Sequence, residues 1–289
     1  LKIAKFLEIA MRISLDEEQP DVNHPLGSLS AILTQFPNHS PLREHIPAKK
    51  VITSPESAEY SPFLRQHINS RYGFFSVLVW RIITYSSQCA DDGNILLGDL
   101  KEWNAIHNEY KDTPQSIFVE DAYHNSLDSS RRYGIRNVHK LWKFSETWPK
   151  FLKNREEVSL GEMFEYLRNS GCACLGDGMS YMIAADYVYG DFVSRPSVET
   201  VGCFVWRLQG DSLQCLQLLG LLPSPVHIIT ERETIQAFTD LFDFVQPYLA
   251  DLPGCEEESL DDEFGFDAVT LEFALQQFFT LNQEGFELM

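Results

Sequence analysis

From Pro62 to Asn282, apolar side chains return every three or four residues in segment after segment, and no stretch alternates apolar with polar for long. That spacing puts one face of each segment against a core and restricts the chain to packed helices, so the fold class expected is all-α, a multi-helix globular domain. Phe63, Ile68, Tyr72, Phe75, Val79, Ile82 and Ile83 mark a long, mostly buried helix from Pro62 to Ser86. Leu96 to Ile106 and Ile135 to Phe144 carry two more. Ser159 followed by Glu162 is a capping box, with Gly171 placed to end that helix. Helices follow at Met179–Tyr189, Ser197–Gln209, after the Thr230/Glu233 capping box, and at Asp267–Asn282. Only Val226–Ile229 reads as a short strand.

The ends differ from this body. The opening LKIAKFLEIAMRIS is an amphipathic helix without the continuous apolar core of a signal peptide. Prolines at 20, 25, 37, 41, 47 and 55 make residues 16–60 an extended arm with short turns. CEEESLDDEFGF, Cys255 to Phe266, reads as an acidic linker. The organisation expected is an N-terminal helix and arm over 1–61, a helical core over 62–252 and an acidic linker plus terminal helix over 253–289.

Charge is distributed unevenly. The net charge is −19, yet Glu233 to Met289 holds 14 acids and no Lys or Arg, leaving 28 acids against 23 bases before it. Arg131, Arg132, Arg136, Lys140, Lys143, Lys150, Lys153 and Arg155 face only Glu146, so 131–155 carries +7. The average field excludes general adhesion to nucleic acid, and any such role must come from a local patch. Tyr133, Trp142, Phe144, Trp148 and Phe151 interleave with those cations, a mixture suited to phosphate contact and base stacking or to an amphipathic helix with its rings turned inward.

The phosphate-binding loop, the G-x-S-x-G elbow, H-E-x-x-H and the dinucleotide fingerprint are absent. Cys172 and Cys174 form a C-x-C pair without a second ligand pair, so no metal or other cofactor is expected, and the six cysteines read as reduced thiols of an intracellular protein, nuclear or cytoplasmic. The longest strongly apolar stretch, Gly73 to Trp80, is under half a membrane span, and no membrane partner is expected.

Helix, a turn with Gly176-Asp177-Gly178, and a second helix beginning MSYMIAADYVYG form the layout of a helix-hairpin-helix, in which glycines let backbone N–H groups approach a phosphate. A tight turn between packed helices would look the same. LGDGMSYMIAADYVYGDFVSRPSVETVGCFVWRLQG resembles the helix-hairpin-helix core of the base-excision DNA glycosylase superfamily over about 40 residues. The resemblance implies DNA binding through Gly176 and Gly178 and an acid at Glu199, within V-E-T where the family shows V-D-T. Three departures stand out: Asp177 replaces an apolar residue, Ser180 takes the place of the lyase lysine, and Glu199 is one position late. Gly176-x4-Tyr181-x4-Asp186 is also similar to a stretch of helical proteins linked to thymine hypermodification, which implies Tyr181 and Asp186 at a base-handling pocket.

The candidate catalytic residues are therefore Asp186, Glu199 and Tyr181. The candidate nucleic-acid contacts are Gly176, Gly178, Arg131, Arg132, Arg136, Lys140 and Lys143. Competing accounts give Glu199 a helix-capping role and Asp186 a salt bridge to Arg195 or Arg207. The reading is a divergent helix-hairpin-helix protein with weak nucleic-acid binding and decayed catalysis. The alternatives are a protein-interaction module that docks its C-terminal helix, with Phe273, Phe278 and Phe279, into a partner, and an active nucleobase-modifying enzyme.

Overall fold

Side-chain caps and apolar faces divide the chain into helices, as the computed structural model shows for residues 2–14, 27–35, 39–43, 46, 49–53, 60–110, 112–113, 116–117, 137–153, 155–223, 227–252 and 266–284. Among the described residues there is no strand, and His227–Ile229 has no regular structure. In chain order the helices are α1 Lys2–Ser14, α2 Gly27–Gln35, α3 Lys50–Thr53, α4 Arg65–Ile68 and α5 Arg71–Val79, the last continued by a π-helical turn, Trp80–Thr84. Next come α6 Gln88–Asp91, α7 Leu100–Tyr110, α8 Val138–Ser145, α9 Trp148–Leu152, α10 Leu160–Arg168 and α11 Asp177–Tyr189. The series closes with α12 Val198–Leu208, α13 Asp211–Leu218, α14 Glu231–Ala250 and α15 Ala268–Gln283.

The chain groups into two compact units, one made of residues 1–47 and 196–289, the other of 48–195. These boundaries differ from those at 61 and 252 drawn from sequence, and the 1–61 segment contributes to both units. Within the described part of the expected arm, α2 buries Leu29 and Leu33, and α3 buries Val51. Prolines exclude long helices there but not short ones.

In the discontinuous unit, Phe6 of α1 meets Phe278 of α15 edge-on at 5.6 Å. Gly202 lets α12 approach α14, since a Cβ there would lie 3.1 Å from the Ile235 Cα. The apolar side chains of α15 are spent inside this unit. Val269, Leu271, Phe273, Leu275 and Phe278 are buried, which corrects the docking-helix expectation for Phe273 and Phe278; Phe279 is half-buried. A helix apolar on every side belongs in a core.

The 48–195 unit is built around stacked rings. Phe74 and Trp148 lie parallel at 4.3 Å, and the Trp148 indole donates to the Ile68 carbonyl at 3.0 Å. The single helix expected over Pro62–Ser86 is broken at Asn69–Ser70, where the Ser70 hydroxyl caps α5 by accepting from the Gly73 amide. A Cβ on Gly73 would lie 2.0 Å from the His67 carbonyl oxygen, so the break requires glycine. This unit has 17 basic and 19 acidic residues, against 6 and 23 in the other, so −17 of the −19 belongs to the discontinuous unit.

Candidate nucleic-acid interface

Asp186 sits on the inner face of α11, a helix with little amphipathic pattern, and is wholly enclosed. Lys49 Nζ approaches one carboxylate oxygen at 2.9 Å and Arg81 Nε, from the π-helical turn, the other at 2.9 Å. Both cations are buried, Lys49 at 0% and Arg81 at 3% exposure. The sequence suggested Arg195 or Arg207 in this role. Neighbouring Tyr187 is also enclosed, and burial pushes its phenol well above its ordinary value. Both carboxylate oxygens are thus taken by enclosed cations, and removal of any one partner would leave uncompensated buried charge. Tyr181 is buried as well, at 1% exposure.

Glu199 has the opposite setting. It is exposed in the first turn of α12, behind the Ser197 cap, and hydrogen bonds from the backbone at the helix start and from Ser197 hold its carboxyl below the usual range. That is the electrostatics of a capped helix start. Asp186 and Glu199 fall in different units.

The basic stretch is described from Asn137 onward; Arg131, Arg132 and Arg136 lie outside the described residues. On α8 and α9, Leu141, Phe144 and Trp148 face the core, while His139, Lys140, Lys143, Lys150 and Lys153 are exposed. Trp142 is half-buried and carries the Arg71 guanidinium 3.7 Å above its ring, and Arg71 also bonds Glu146 at 3.0 Å. Phe144 and Trp148 therefore brace the helices from within, whereas Trp142 and Phe151 are half-buried. Among the described residues, no acidic side chain pairs with Lys140, Lys143, Lys150 or Lys153.

The α10–α11 turn meets this basic face. The Cys172 thiol reaches the Lys140 carbonyl at 3.9 Å, and the Lys140 charge acts on both Cys172 and Cys174. Sequence-distant candidates, Lys140 on α8 and the turn leading to Gly176, are thus brought together. Gly176 is the N-cap of α11, with no side-chain cap bond, and a Cβ on it would meet nothing within 4 Å. Gly178 is the second helical residue of α11, and Asp177 before it accepts from Arg168. Burial pushes the Cys174 thiol up to about 12 and raises Cys172, so both remain protonated near neutrality. Among the described residues no group of three or more His, Cys, Asp or Glu could hold a metal ion, and no helix is long and apolar enough to cross a membrane.

Beside the same face lies an open groove of about 560 Å³ between α8–α9 and α10, with Phe144, Thr147, Phe151, Arg155 and Tyr166 among its walls. Phe151 and Tyr166 stack at 4.0 Å, Arg155 lies 4.3 Å over Phe151, and the Thr147 and Tyr166 hydroxyls meet at 2.7 Å. Burial pushes the Tyr166 phenol up to about 12. The sequence reading did not single out Lys49, Arg81 or Tyr166. A signal existed for Arg81, a lone charge within FFSVLVWRII, because a cation in so apolar a run must find an anion when buried. No family model, curated protein or solved structure matches the chain.

Proposed function

We propose that the chain is a divergent helix-hairpin-helix protein, related to base-excision or base-modifying proteins, that binds nucleic acid through α8, α9 and the α10–α11 turn and no longer performs base chemistry. The observation that carries this reading is the meeting of α8, whose exposed Lys140 and Lys143 have no acidic partner among the described residues, with the turn before Gly176, through the contact of the Cys172 thiol with the Lys140 backbone carbonyl. Lysines without carboxylate partners offer their full charge to phosphate, and the start of a helix adds backbone N–H donors. Loss of catalysis is supported by the two candidate acids: Asp186 is sealed between Lys49 and Arg81, and Glu199 faces solvent as a helix-start acid.

The test is an electrophoretic shift with short single-stranded and duplex DNA at low and high salt. The expected result is that the whole chain shifts DNA at low salt and loses the shift at high salt. The double reversal Lys140→Glu with Lys143→Glu abolishes the low-salt shift. A shift that survives the reversal unchanged places binding elsewhere and refutes the reading.

A further inference from the structure

We propose that Arg43 and Gln277 form a binding site for a small carboxylate within the discontinuous unit, a site independent of the nucleic-acid reading above. Arg43 closes the short segment 39–43 and is 3% exposed, yet its Nε and Nη1 groups have no hydrogen-bond partner. Among the described residues no acidic side chain pairs with it. The Phe273 ring of α15 lies 4.9 Å from its Cζ and covers one face of the guanidinium. A ring face attracts a cation but leaves the N–H groups, which point outward in the guanidinium plane, without acceptors. Arginine keeps its proton when buried, so the charge persists and needs an anion.

Register along α15 supplies the second group. Gln277 stands four residues after Phe273, on the same side of the helix, and is 9% exposed. Among the described residues its carboxamide makes no hydrogen bond. Further along, Glu284 at the end of α15 reaches His39 at 4.0 Å. The segment 39–43 therefore runs along α15 with Arg43 at the Phe273 end and His39 at the Glu284 end, and Gln277 falls between these two contacts in register. The His39 and Glu284 side chains are 24% and 47% exposed, so that end of the line meets solvent.

These two groups select the ligand class. A guanidinium presents paired N–H groups that match the two oxygens of a carboxylate, and a carboxamide adds a further donor. One enclosed cation balances one negative charge. The surrounding unit carries −17, so a monocarboxylate is favoured over a phosphate dianion.

The experiment follows thermal unfolding of the whole chain in sodium acetate, sodium chloride and sodium phosphate at matched ionic strength and neutral pH, and reads the broadening of the acetate resonance by NMR. The expected result is a saturable rise in melting temperature with acetate that chloride and phosphate do not match, together with a broadened acetate line. Arg43→Met is expected to abolish both effects and, without acetate, to melt no lower than wild type, because it removes an uncompensated buried charge. Gln277→Leu should keep the fold and weaken acetate binding about tenfold, as loss of one hydrogen bond to a charged group does. Equal rises in acetate and chloride, or acetate broadening that survives Arg43→Met, overturn the site. A larger rise in phosphate that Arg43→Met removes overturns the carboxylate assignment. An Arg43→Met chain that melts well below wild type without acetate shows the guanidinium to be satisfied within the protein and overturns the proposal.

Discussion

Asp186 would be a catalytic acid on one reading of the sequence and is a buried counter-ion in the structure. Its two contacts come from Lys49 and Arg81, far away in sequence, and Lys49 is 137 residues distant. Removing one partner of a buried ionic cluster typically costs about 3–5 kcal/mol because the remaining charges stay enclosed. Asp186→Asn is therefore expected to lower stability by about that amount in urea unfolding; an unchanged midpoint would contradict the structural role. The residue itself stood out in sequence, as an acid among Ala184, Ala185 and Tyr187. Its partners did not, because pairing over such separations leaves no local trace and the nearer cations, Arg195 and Arg207, were the ones that spacing suggested.

Helix boundaries depend on local chemistry and were correspondingly legible. Both capping boxes form: Ser159 accepts from the Glu162 amide and Thr230 from the Glu233 amide, and each glutamate returns a bond to its cap. Ser159→Ala or Thr230→Ala is expected to cost about 1 kcal/mol in thermal or urea unfolding. The returning bonds hold the Glu162 and Glu233 carboxyls below their ordinary value. A lowered folded-state pKa contributes stability that is complete above the unfolded value of about 4.3 and disappears as pH falls through the folded one. The difference between wild type and each cap variant should then shrink as unfolding is measured below about pH 4; a difference independent of pH would refute the linkage. Elements that depend on distant contacts were harder to read. The break at Asn69–Ser70 interrupts an apolar pattern that runs straight through it, and α15 looked like a docking helix although its lack of a polar face fitted a core position.

Across the whole molecule, the charge separation seen along the sequence resolves onto the two units. The 48–195 unit, which carries the basic face, is nearly neutral at −2, and the other holds −17. An anionic body repels phosphate at long range and loses that effect as salt screens it. Residues 48–195 expressed alone should be helical, unfold cooperatively and bind single-stranded DNA more tightly than the whole chain at low salt, with the two converging at high salt. Equal affinities at low salt would show that the acidic unit exerts no such repulsion.

The central claim is that phosphate is held by the lysines beside the α10–α11 turn, and the salt dependence of single-strand affinity tests it most directly. Each phosphate contact contributes a slope of about −0.7 in log K against log salt for single strands. Replacing both Lys140 and Lys143 with Gln should make the wild-type slope shallower by roughly 1.4 and weaken low-salt binding across all sequences alike. A slope identical to wild type, or no measurable binding by the wild-type chain at low salt, would contradict the account.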